Sequence, residues 1–180
     1  MSSPPTADPW ILRDGTAARI RPIRPDDEPL LVEFHRYLSD RTVFLRYFHL
    51  TKLDQRVKHE RLARLCTVDP ATEAALVVER DDAAGAPAII AVGRLTRPNA
   101  AGDAEVALLV SDAYQGQGLG KELMRRLEVH ARRIGVRRIV GEILSENDSM
   151  LAVARRTGFT VRAVKGDPQV LRAELPLDPA

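Results

Sequence analysis

The chain has 180 residues, with 27 Lys+Arg against 25 Asp+Glu, a formal net charge of +2 and a single cysteine. This length suits one domain that buries a core without cross-links or metal, and the balanced, interleaved charge argues against a nucleic-acid partner. Cys66 alone excludes an intrachain disulfide framework, and His35, His49, His59 and His130 lack partners at metal-ligand spacing, so no metal is expected.

In chain order, residues 1–13 are expected to be a flexible tail. Their Ser, Pro and Ala-rich start has neither the basic nor the apolar region of a secretion signal, and no apolar run suits a membrane, so the chain reads as cytoplasmic. After the turn pair Asp14-Gly15, residues 16–23 alternate as a strand does. Pro25-Asp26-Asp27-Glu28 opens a helix with Leu30, Leu31, Phe34 and Leu38 on one face, and a second helix is expected over 54–66. Strands at 73–80 and 88–96 flank the turn Asp82-Ala83-Ala84-Gly85, and a further strand follows at 103–110. Leu119, Leu123, Leu127, Ala131 and Ile134 then form one helical stripe ending at Gly135, with Lys121, Glu122, Arg125, Arg126, Arg132 and Arg133 on the opposite face. A strand at 136–144, a helix at 147–157 and strands at 159–164 and 169–175 close the chain. The order predicts one mixed α/β (α+β) domain over residues 14–177, largely antiparallel in its first half.

The most informative stretch is Tyr114-Gln115-Gly116-Gln117-Gly118-Leu119-Gly120-Lys121, where three alternating glycines precede a helix. Unpaired amides at a helix start carry partial positive charge and suit a phosphate. A Walker A loop would need Gly at Gln115 and a hydroxyl at Glu122, and a dinucleotide fingerprint would need its third glycine one residue later, so both readings fail. What remains is Gln-x-x-Gly-x-Gly (Gln115, Gly118, Gly120) between a strand and an amphipathic helix. This resembles the pyrophosphate loop of the GNAT superfamily of acetyl-CoA-dependent N-acetyltransferases.

The resemblance implies the GNAT fold, a mixed, mostly antiparallel twisted sheet with helices on both faces. It also implies acetyl-CoA as cosubstrate: backbone groups of Leu108, Leu109 and Val110 would hold the acetyl carbonyl and pantetheine, and amides of Gln115, Gly116, Gly118, Gly120 and Lys121 the pyrophosphate. Arg125 and Arg126 either reach a coenzyme phosphate or form a solvated charged face. Asn147 is read as a helix N-cap, and the resemblance adds a hydrogen bond to pantetheine. Many members carry a tyrosine acid four residues before the Gly-Phe pair; here Gly158-Phe159 matches but that position is Ala154, so the thiolate would leave unprotonated.

Both alternating faces of Ala104-Glu105-Val106-Ala107-Leu108-Leu109-Val110 are otherwise apolar, which predicts a strand buried on both sides and makes Glu105 an anomaly. Burial would raise its pKa toward neutrality, as suits a general base, and the acceptor ammonium needs one, since its pKa is about 10.4. The alternative is an ion pair of Glu105 with Arg94.

Five of the eight aromatic residues lie between Phe34 and Phe48, in a segment read as a packed corner between two helices. That segment, residues 38–48, resembles the GNAT domain of bacterial protein-lysine acetyltransferases that modify acyl-CoA synthetases, as do residues 20–28, Ala104 to Val110 and Met150 to Phe159. The acceptor implied is a protein lysine, such as one on an acyl-CoA synthetase, for a monomer or homodimer. A small-molecule amine acetyltransferase and a non-catalytic acyl-CoA-binding sensor are the alternatives.

Overall fold

A computed structural model describes residues 7–97 and 102–177. Eight strands, β1 (Asp8–Ile11), β2 (Ala17–Pro22), β3 (Glu73–Asp81), β4 (Pro87–Thr96), β5 (Asp103–Val110), β6 (Arg138–Leu144), β7 (Thr160–Val164) and β8 (Asp167–Pro176), take the order β1-β2-β3-β4-β5-β6-β8-β7. The β5–β6 pair is parallel, whereas β1–β2, β2–β3, β6–β8 and β7–β8 are antiparallel, giving the mixed sheet expected. The α-helices are α1 (Glu28–Arg36), α2 (Asp40–Tyr47), α3 (Leu53–Arg56), α4 (His59–Cys66), α5 (Leu119–Arg133) and α6 (Asp148–Arg156).

Three expectations are corrected. Residues 1–13 are not all tail: Asp8–Ile11 is a strand, with Trp10 opposite Ala18. The Asp14-Gly15 signal is the turn of a hairpin, Leu12 and Thr16 being joined by a 2.9 Å backbone bond, and the sequence showed only its second arm. The expected helix over 54–66 breaks at Lys58, whose extended backbone (ψ 132°) separates α3 from α4. The aromatic corner is itself a helix, α2, where the Ser39 side chain caps the Thr42 amide and Phe48 ends the element in a left-handed conformation (φ 65°).

The chain divides into two compact units, and the boundary falls within β3, β4 and β5. In the unit made of Asp69–Ala74, Gly93–Leu108 and the described residues from Gly120 onward, β6 pairs with β8 over seven positions, from Arg138↔Pro176 to Leu144↔Val170. Its ladder to β5 covers three, ending at Glu105↔Val140. Helix α5 buries Leu123, Met124, Leu127 and Ala131 completely. Glycine at position 93 permits this packing, because a Cβ there would lie 3.1–3.3 Å from Leu108, Leu123 and Leu127.

The other unit comprises the described residues up to Val68 with Ala75–Val92 and Leu109–Leu119. Its core gathers Leu31 and Phe34 of α1, Val43 of α2 and Leu62 and Cys66 of α4 with Ala75, Val77 and Ile89. Beside this core Arg21, 3 % exposed, donates two 2.7 Å hydrogen bonds to Asp27 and bonds of 3.0 and 2.5 Å to Glu79. Asp27 also accepts from the Arg24 amide, so the network ties β2 and β3 to the entry of α1. Burial pushes the Glu79 carboxyl up, but hydrogen bonds from Arg21 and Arg19 outweigh it and hold it below its usual value of 4.5. A carboxyl lowered on folding adds stability that is fully present above 4.5 and is lost as pH falls through the lower folded value. Arg21→Met strands Asp27 and leaves Glu79 with Arg19 alone, and it should cost about 3–5 kcal/mol in urea unfolding at neutral pH, a penalty that shrinks below pH 4.5. A cost under about 1 kcal/mol at neutral pH would show the network to be dispensable.

Candidate functional site

Where β5 ends, the Ser111 amide bonds the Ile90 carbonyl at 2.9 Å, and a 3-10 turn (Asp112–Tyr114) leads into the glycine loop. The Gln115 side chain donates to Thr42 Oγ1 (3.0 Å) and to the Val110 carbonyl (3.2 Å), and its amide donates to the Asp112 carbonyl (3.3 Å). Gln115, expected to offer its amide to an anion, therefore spends that amide on the turn. Gly116 and Gly118 take φ of 76° and 91°, which few other residues adopt, and the amides of Gly116, Gln117 and Gly118 have no protein acceptor among the described residues. From the β1–β2 turn, Arg13 Nη1 donates to the Gly116 carbonyl (3.1 Å) and the Asp14 amide to Gln117 Oε1 (3.1 Å).

Sequence reasoning missed what holds this loop. Asp112 accepts from the Ser39 amide (3.0 Å), Ser39 Oγ (2.5 Å) and Thr42 Oγ1 (2.8 Å), joining the loop to the first turn of α2. Burial pushes its carboxyl up, but those bonds outweigh it and hold it low, as an ionised acceptor. The Ser39-Asp40 cap signature was the available signal for α2.

In the other unit, Gly120 has a packing reason: a Cβ there would meet Val153 Cγ2 at 3.1 Å and Leu108 Cδ1 at 3.8 Å. Lys121 is exposed beside it. Glu122, 7 % exposed, is the acid of the first helical turn. It accepts from Arg125 (3.0 and 2.8 Å) and Arg126 (2.7 Å), so those arginines are tied to an acid of their own helix and offset the charge that would oppose an anion.

Glu105 departs from expectation. It is exposed, it makes no side-chain hydrogen bond or ion pair among the described residues, and Arg94, its expected alternative partner, bonds Glu73 at 2.5 Å. The apolar pattern did not reveal this exposure; the β5–β6 ladder stops at Glu105 itself, and β6 follows β8 instead. Beyond it, Val106, Ala107 and Leu108 have backbone groups outside that ladder. Leu109 is buried and Val110 half-buried. Asn147 is the N-cap of α6, accepting from the Met150 amide at 3.1 Å through Oδ1, and Ala154 is fully buried.

Among the described residues no group of three or more His, Cys, Asp or Glu is placed to hold a metal, and no helix is long and apolar enough to cross a membrane.

The family model described as "Acetyltransferase (GNAT) domain" matches residues 18–160. Acetyltransferase Pat of Mycolicibacterium smegmatis is 31 % identical over 175 residues, and the match covers 97 % of this chain but 50 % of Pat, so this chain spans about half the length of that relative. The crystal structure of the GNAT domain of S. lividans PAT superposes with a TM-score of 0.81 at 32 % identity, covering 94 % of this chain and 96 % of that one. PaiA N-acetyltransferase from Thermoplasma acidophilum, solved with coenzyme A, shares the fold at 17 % identity (TM-score 0.69, covering 89 % and 99 %). On these matches, and with the glycine loop and strand order already in place, the chain belongs to the GNAT family of acetyltransferases.

Proposed function

We propose that this acetyltransferase uses acetyl-CoA and transfers the acetyl group directly to a primary amine, a protein lysine side chain. The observation that carries the coenzyme is the run of acceptor-less amides from Gly116 to Gly118 immediately before α5. With the first amides of that helix, Gly120 and Lys121 included, they would hold the pyrophosphate through hydrogen bonds and the helix dipole. Backbone of Leu108, Leu109 and Val110 would serve the acetyl carbonyl and pantetheine, and the Asn147 side-chain NH2, unused by its cap, the pantetheine amides. A coenzyme-bound neighbour supports this choice. The family match runs through residues of both units, which supports reading 14–177 as one catalytic domain.

Acetyl-CoA supplies an activated thioester. The attacking amine must first lose a proton, because an ammonium with a pKa of about 10.4 has no lone pair to offer. Glu105 takes it, through a water, since its carboxylate faces solvent at the point where the β5–β6 ladder ends. No side chain of α6 stands as acid where Ala154 lies, and a coenzyme thiolate with a thiol pKa of about 8.5 leaves as the anion. The protein acceptor rests on the resemblance to Pat and to the GNAT domain of S. lividans PAT, and an acyl-CoA synthetase lysine is the substrate to try first.

The loop is tested by charge at constant shape. Nothing lies within 4 Å of a Cβ built on Gly116, and both Asn and Asp tolerate its positive φ. Gly116→Asn should bind acetyl-CoA modestly more weakly than the parent in calorimetry, and Gly116→Asp at least about 10-fold more weakly than Gly116→Asn, the cost of an anion beside an anion. Equal affinities for the two variants would remove the phosphate from this loop.

The base is tested by Glu105→Gln. An exposed, unpaired side chain leaves little stability to lose, within about 0.5 kcal/mol, while turnover should fall by about 10²–10⁴-fold with acetyl-CoA affinity retained. A stable Glu105→Gln enzyme with near-normal turnover across pH would assign the base elsewhere.

A further inference from the structure

Arg46 of α2 and Arg61 of α4 are half-buried and Arg56 of α3 is buried, and the three lack a carboxylate partner among the described residues. The guanidinium carbon of Arg46 lies 5.0 Å from the Tyr47 ring centroid and that of Arg61 5.5 Å from the same ring. Arg61 also donates to the Tyr47 hydroxyl (2.8 Å) and to the Arg56 carbonyl (2.7 Å). Arg56, 5 % exposed, is satisfied by the carbonyls of Thr51 (3.0 Å) and His35 (2.9 Å). None of these three arginines bonds a carboxylate among the described residues, and Arg46 donates no hydrogen bond to protein there.

Burial of these cations is felt by their neighbours. Desolvation, then the charges of Arg61 and Arg56, push His35 down to about 3, so it adds no charge of its own. Desolvation lowers Arg46, Tyr47 opposes it and Arg61 adds to it, with no carboxylate acting to restore it. His35 Nδ1 and Thr51 Oγ1, on residues that serve Arg56 through their carbonyls, are buried without partners. Two cations stacked on one tyrosine ring gain from its quadrupole but repel one another, and the ring does not replace the hydration lost. The buried Arg21, by contrast, is paired with Asp27 and Glu79.

We propose that Arg46, Arg61 and Tyr47 form an oxyanion site that takes a carboxylate or phosphate group. Guanidinium N–H groups bind such an anion bidentately, and it supplies the charge that the protein omits. Arg46 lies one turn along α2 from Thr42, whose hydroxyl bonds Asp112 and accepts from Gln115. An anion held there would brace the helix to which the glycine loop is fastened.

The test is a titration followed through the arginine Nε–Hε signals of the whole chain, with inorganic phosphate, succinate and sodium chloride at matched ionic strength. Arg46 and Arg61 should shift saturably at millimolar phosphate or succinate and at least about 10-fold less readily with chloride. The tighter of the two oxyanions identifies a phosphate or a carboxylate as the group recognised. In Arg46→Gln the Arg61 response should weaken by at least about 10-fold. Arg46 and Arg61 signals that stay fixed, that follow chloride equally, or an Arg61 response unchanged by Arg46→Gln would each overturn the site. The parent titration decides alone should the variant not fold. Amide shifts of Gly116 to Gly118 in the same spectra report the coenzyme loop separately, so failure there is not mistaken for failure here.

Discussion

Backbone N–H groups buried in a folded chain need acceptors, and this chain sets a run of amides at the surface that donate to no protein group among the described residues. Gly116, Gln117 and Gly118 donate to nothing in the protein among the described residues, although the loop around them is fastened on several sides. Gln115 is pinned by Thr42, Val110 and Asp112, and Gly116 and Gln117 by Arg13 and Asp14. A loop that is fixed yet unsatisfied is preorganised: its amides would meet an anion without first being ordered, which is where much of the cost of binding otherwise falls.

The fastening depends on Asp112. Its carboxylate gathers the start of α2 through Ser39 and Thr42, and Thr42 in turn receives Gln115. Helix α2 thereby connects two electropositive features, the loop at its first turn and the Arg46–Tyr47–Arg61 group at its last. In the other unit the same logic of backbone satisfaction operates on strands. β6 gives its ladder to β8 and abandons β5 after Glu105, so Val106 onward lies outside that ladder and Glu105 stands exposed at its end.

Much of this was legible from residue order. The apolar stripe Leu123, Leu127 and Ala131 fixed α5, and the glycine spacing singled out the loop without reference to tertiary structure. What was misread had nonlocal causes. Glu105 looked buried because its strand is apolar on both faces, but burial depends on what packs over each face of the sheet, which no local pattern records. Gly120 has a second reason that its own segment does not show, since a Cβ there would lie 3.1 Å from Val153 of a helix later in the chain. β1 was hidden by Pro9 and by its brevity, and α2 by an aromatic composition that suits strands as well as helices. Asp112 carries no signal in its own segment, since its partners are about 70 residues away.

The central claim is that the unserved amides are the coenzyme's phosphate site. Amide chemical shifts of the uniformly labelled chain during titration with coenzyme A test it directly. The account predicts saturable shifts centred on Gly116, Gln117 and Gly118 and extending into the first turn of α5. Saturable binding that leaves those three amides unmoved would contradict it.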